Sequence, residues 1–151
     1  MQATSVRPST ILGTWALESY TTADPDDQNP AFPLGPDAVG LITYTADGYM
    51  SVQISRAGRR EYADGALHGG TDAERAEAAA GYLAYAGTYT LEGDVVTHHP
   101  TASLFPAWEG VDVPRRARIE HDVLSLELLA PIQQDGRART GVLRWRRAGA
   151  L

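Results

Sequence analysis

Three times in this chain an alternating run of apolar residues stops at a compact polar turn and runs back on itself. Val39 to Ile54 folds about Ala46-Asp47-Gly48, Tyr85 to His99 about Glu92-Gly93-Asp94, and Arg115 to Leu129 about His121-Asp122. Successive strand residues point to opposite faces, so period-two alternation on both sides of such a turn marks a β-hairpin. Ile11–Tyr20 and Gly141–Arg147 add a first and a last strand, giving eight or nine strands in 151 residues. An open sheet of that size leaves two raw edges, whereas closure removes them. The expected fold is therefore mainly all-β: a single closed antiparallel barrel spanning residues 11–151, preceded by a tail over 1–10.

Composition narrows the chemistry. The chain has no Cys, which removes thiol nucleophiles, Cys-ligated metals and disulfides. It has no Lys either, since all 13 basic residues are Arg, so Schiff-base chemistry has no side-chain amine to use. A formal net charge of −6 argues against nucleic acid as a partner. No apolar run approaches the roughly 20 residues that span a bilayer, and residues 1–10 lack the apolar centre of a signal peptide. The chain is expected to be cytoplasmic, away from membranes, as a monomer or homodimer.

The alternation also assigns faces. In the first strand Trp15, Leu17 and Ser19 share one side, and Thr14, Ala16 and Glu18 the other. A two-residue turn at Asp47-Gly48 would put Val39, Leu41, Thr43, Met50, Val52 and Ile54 on a packing face. Ile42, Tyr44, Tyr49, Ser51 and Gln53 would then form a mixed face, either a cavity lining or an aromatic-decorated outside. Residues 22–37, with four prolines, read as a long ordered loop, either a rim or lid or a plain connector. Residues 56–70 and 131–139 read as loops as well. Between them Thr71-Asp72-Ala73-Glu74 forms a capping box that opens one short helix near residues 72–80. Its alanine face makes it an accessory, and Gly81 is expected to end it in a left-handed conformation.

The ordered set of motifs is similar to the bacterial lipocalin-like domain family of calycin-type barrels. It comprises Leu12-Gly13-Thr14-Trp15, the stretch PLGPDAVGLITYTADGYMSVQI, AYAGTYTLEGDVVTHH, SLFPAWEG, the Arg115-Arg116 strand and Leu143-Arg144-Trp145-Arg146. The resemblance runs from Leu12 to Arg147. It implies a tryptophan, here Trp15, plugging the closed end with an arginine of the last strand stacked on it, and one small, largely apolar molecule held inside. Some barrels of this kind in biosynthetic settings cyclise or isomerise a substrate without a cofactor.

The candidate site residues follow from chemistry and face. His98 and His99 are adjacent on a strand, so only one can enter the barrel, where an imidazole suits acid–base work or fills a polar gap. Their spacing, with no Cys, does not favour a metal. Tyr85 and Tyr89 share a face, for plain cross-strand packing or for hydrogen bonding a ligand oxygen. Arg115 lies on the apolar side of its strand and needs a partner there; Glu18, Glu109, Glu120 and Glu127 are all open possibilities. His98, His99, Tyr85 and Arg115 form the candidate catalytic set. Trp15, Tyr44, Tyr49, Tyr89, Phe105 and Trp108 are the candidate ligand contacts. The expected activity is cofactor-free cyclisation or isomerisation of a polyketide-like, oxygen-bearing molecule, the alternative being a non-catalytic carrier. No Gly-x-Ser-x-Gly elbow or phosphate-binding loop is present.

Overall fold

A computed structural model describes residues 6–24, 26 and 29–149. Nine strands follow one another as β1 (Gly13–Ala23), β2 (Val39–Tyr44), β3 (Tyr49–Ser55), β4 (Tyr82–Glu92), β5 (Val95–Ser103), β6 (Val113–Glu120), β7 (Val123–Leu128), β8 (Ile132–Gln134) and β9 (Arg137–Arg147). Each of β1 to β6 pairs antiparallel with the next, β7 pairs with β9, and β9 returns to β1. Eight strands thus close a barrel, and β8 lies outside the ring as a flap on β9. Two α-helices complete the described residues: α1 (Pro8–Ile11) and α2 (Asp72–Ala80). No described helix is long and apolar enough to cross a membrane.

The connections divide the barrel into two unlike ends. At one end the hairpins turn tightly. Gly93, at φ 61°, takes the first central position of the Gly93-Asp94 turn, where a primed turn requires a positive φ. His121 and Asp122 close β6 to β7 with φ values of 49° and 61°, the left-handed pair that a primed two-residue turn requires and that residues with a Cβ adopt at some cost. Helix α1 plugs this end. The Trp15 indole donates to the Ile11 carbonyl at 2.9 Å, and the Arg147 guanidinium stacks over the Trp15 ring 4.1 Å from its centroid. Arg147 also donates to the carbonyls of Leu12 and Thr10. The stacking arginine is therefore the residue after the Leu-Arg-Trp-Arg motif. Within the segment expected as a tail, Val6 is buried, and Ile11, expected to open the first strand, is the buried last residue of α1.

The opposite end carries all the long connections: residues 24–38, 56–81 with α2, 104–112, and the β8 flap. Helix α2 spans the expected residues and starts with the expected reciprocal box between Thr71 and Glu74. None of its residues is buried. Gly81 ends it at φ −93°, not in the left-handed region, because its N–H already reaches back to Glu77 and Ala79. Of the loop expected over 22–37, residues 25, 27 and 28 lie outside the described set. In the rest, Ala31 bridges Thr22, Leu34 is buried and Phe32 is largely exposed.

Three expectations of register change. In the β2–β3 hairpin Tyr44 pairs with Met50 and Ile42 with Val52. The loop has three residues, Ala46-Asp47-Gly48, with Gly48 at φ 92° and the Thr45 hydroxyl accepting from the Tyr49 N–H. That is a type I turn closed by a glycine bulge. Ile42, Tyr44, Met50, Val52 and Ile54 therefore face inward, while Tyr49 faces out. In β1 a bulge at Glu18 puts two residues opposite one, so the inward phase passes from Trp15 to Tyr20 and Thr22. Ser19 does not share the inner face with Trp15. The polar segment 131–139 is a hairpin whose Asp135-Gly136 turn has φ values of 52° and 74°, and β9 begins at Arg137.

Candidate functional site

Inside the barrel, above a floor of Trp15, Val96 and Leu124, lies a layer of polar side chains. Its centre is His98. It projects inward because β5 keeps strict alternation, with Val96, His98 and Pro100 buried and Thr97 and His99 half-exposed between them. A Cβ on Gly87 would collide with the His99 carbonyl, so only glycine allows β4 to approach this part of β5 so closely. Both ring nitrogens of His98 are engaged: Nε2 lies 2.7 Å from the Tyr44 hydroxyl and Nδ1 2.7 Å from the Tyr85 hydroxyl. The two phenols come from β2 and β4, so three strands converge on one imidazole.

Burial and then the charge of Arg115 push the His98 pKa down to about 3. The ring is neutral near pH 7. Burial also drives both phenols up, Tyr85 to about 12 and Tyr44 well above its ordinary value. Arg115 enters from β6, 8% exposed. Its one hydrogen bond among the described residues runs from Nη1 to the Pro114 carbonyl at 3.0 Å. None of the four carboxylates considered for it is its partner; Glu18, for example, pairs with Arg146 on the outside. Desolvation lowers the guanidinium pKa, opposed by the partial negative character of Tyr85, Tyr20 and Tyr44.

These groups border a cavity of about 30 Å³, lined by Tyr20, Tyr85, His98, Arg115 and Trp145 with Ile42, Val52, Leu126 and Leu143. Leu83, Trp108, Leu128 and Ile132 line it too, all partly exposed, from the end with the long connections. Trp108 sits on a 3-10 turn over Pro106–Trp108 and packs edge-on against Tyr85, with ring centroids 5.5 Å apart. It forms the mouth.

The remaining candidates divide clearly. His99 points outward, its Nδ1 hydrogen-bonded to Asp112 at 2.7 Å and its Nε2 3.2 Å from the Thr90 hydroxyl, so it takes no part in the inner layer. Tyr49 is 55% exposed, for the register reason given above. Phe105 is exposed and touches the cavity only through Trp108. Trp15 belongs to the plug and does not line the cavity. Tyr89 packs edge-on against Tyr44 and donates to the Thr45 carbonyl, supporting the layer from the side. Sequence reasoning missed Tyr20, which the Glu18 bulge turns inward, and did not name Trp145 among the ligand contacts. Strand alternation alone could have placed Trp145 inward beside Leu143.

The comparisons with known proteins now have a geometry to attach to. Residues 12–148 match the lipocalin-like domain family. The chain belongs to that family. This lipocalin-like barrel is also 31% identical over 110 residues to a protein of Aspergillus oryzae (strain ATCC 42149 / RIB 40) named 4'-hydroxy-3'-methoxypropiophenone carrier protein ppsC. The match covers 68% of this chain and 99% of that one. No solved structure matches the lipocalin-like chain significantly.

Proposed function

We propose that this lipocalin-like protein binds a small, largely apolar, oxygen-bearing molecule inside its barrel and carries it unchanged, an aryl ketone being the nearest chemical type. The observation that bears most weight is the state of His98. A neutral imidazole with a pKa near 3, both nitrogens already bonded to phenols, is poorly placed to exchange protons with a substrate near pH 7. As a fixed polar element that orients neighbouring hydroxyls it is well placed. The name of the Aspergillus relative, a carrier of a hydroxylated and methoxylated propiophenone, supports the same reading.

The cavity of about 30 Å³ has room for about one water. Pockets for drug-sized molecules usually run to about 300–1,000 Å³. Uptake of an aryl ketone therefore requires the mouth to open, and Trp108, Leu83 and Ile132 are the side chains free enough to move. Cyclisation or isomerisation, the other expectation for this barrel, needs a group that can take and return a proton.

The test is calorimetric titration with a panel of aryl ketones, followed by mass spectrometry of the recovered ligand after long incubation. Saturable binding with the ligand recovered intact is the expected result. Conversion of the bound compound would replace the carrier reading with the catalytic one, and absence of binding across the panel would end both.

A further inference from the structure

The polar groups around the cavity are one-sided. Arg115 has five N–H donors and uses one of them on the protein. Trp145, fully buried on the cavity wall, has an indole N–H with no partner among the described residues. The third donor follows from the tautomer of His98. A neutral imidazole has one N–H and one bare nitrogen. Of its two phenol neighbours, one therefore donates to the ring, and the other accepts from it and keeps its own proton. Tyr44 is 1% exposed, does not line the cavity, and has no other hydrogen-bond partner among the described residues. A spare proton on Tyr44 would be stranded in the core, where an unmet donor costs roughly 1–3 kcal/mol. Tyr85 borders the cavity. The arrangement that strands nothing has Tyr44 donating to Nε2, Nδ1–H donating to Tyr85, and the Tyr85 hydroxyl free to donate into the cavity.

Three donors therefore face a space whose acceptors among the described residues are the uncharged hydroxyl oxygens of Tyr20 and Tyr85, and one of the donors is a buried cation. Tyr20, Tyr44, Tyr85 and His98 are the titratable groups facing Arg115, and no carboxylate of the described residues is within ion-pair distance. A buried cation without a counter-charge is expensive, and a ligand anion would supply the missing charge. We infer that the cavity binds the single anionic oxygen of an acidic phenol or enol, held between the Arg115 guanidinium and the Tyr85 hydroxyl. The small polar head space among Ile42, Val52, Leu126 and Leu143 suits one oxygen better than a carboxylate, which has two oxygens to desolvate and satisfy. This inference rests on the small-molecule reading above and specifies its ligand as an anion.

The experiment compares para-hydroxypropiophenone, its para-methoxy ether and para-ethylbenzoate. The phenol binds about tenfold or more tighter than the ether. At a pH about one unit below its own pKa, the bound phenol shows the red-shifted phenolate absorption band, because a neighbouring cation favours the ionised form. Arg115→Met removes both the preference and the band while melting cooperatively. Nitrogen chemical shifts of His98 show Nδ1 protonated and Nε2 bare. Equal binding of the ether, a bound phenol without the phenolate band, or the opposite tautomer would overturn this assignment while leaving the carrier reading standing. Tighter binding of the benzoate would overturn the choice of a one-oxygen anion. If none of the three binds, the carrier reading falls with it.

Discussion

The two ends of the barrel solve opposite problems. At the plugged end every connection between paired strands is four residues or fewer, and Trp15, Ile11 and Arg147 interlock with almost no exposure of the tryptophan. At the mouth the connections are long, α2 buries nothing, and the side chains bordering the cavity are only half covered. One end has spent its sequence on rigidity and the other has kept side chains that can move. The polar layer of Tyr44, His98, Tyr85 and Arg115 lies between them, held from below and accessible from above. A binding site needs both: fixed donors, and a route by which a ligand reaches them.

Substitutions can break that contrast, and the largest effect belongs to the plug. Trp15→Ala removes a fully buried indole together with the Arg147 stack, and should lower stability by about 3–5 kcal/mol in urea unfolding. The polar layer comes next, through acid. Folded His98 titrates near 3 against an ordinary 6.5, so between those values the unfolded chain holds the extra proton. Its contribution is whole above pH 6.5. It falls by about 1.4 kcal/mol per pH unit as the solution is acidified through the window, with no further loss below 3. Urea midpoints at several pH values should trace that slope, and His98→Gln, which offers a donor and an acceptor without titrating, should flatten it. At the mouth, Trp108→Ala should cost about 1 kcal/mol or less and speed ligand association in stopped-flow measurements. A large loss of stability there would show that the mouth is as tightly built as the plug. The smallest effect is Thr71→Ala in the α2 box, roughly 0.5–1 kcal/mol, seen as faster amide exchange within α2 with little change in the global midpoint.

The closed barrel was legible because its turns are written in residues with specific backbone preferences. Gly93-Asp94 and His121-Asp122 fall where hairpins must reverse, and the Thr71–Glu74 pair marks a helix start. What stayed hidden are one-residue events. The Glu18 bulge has no side-chain signature, yet it alone turns Tyr20 into the cavity. The difference between a two- and a three-residue loop at Asp47-Gly48 shifted β2 against β3 by one residue, so Tyr44 shares the inner face with Met50 while Tyr49 points out. Asp135-Gly136 was a readable turn, but so polar a neighbourhood offered no alternation to flank it. Which of two adjacent histidines faces inward depends on the phase of β5, and that phase is set by neighbours rather than by the histidines.

The seam between β1 and β9 joins the first strand of the domain to its last. During synthesis on a ribosome β1 leaves the tunnel long before its partner exists, and pairing so distant in sequence is slow to form even afterwards. Until β9 arrives, the inner wall stands open to solvent, with its tyrosines and aliphatic side chains uncovered. For a nascent chain of this design, the interval before the seam shuts is the period of greatest exposure to aggregation, and chaperones that shield open sheets have most to do then.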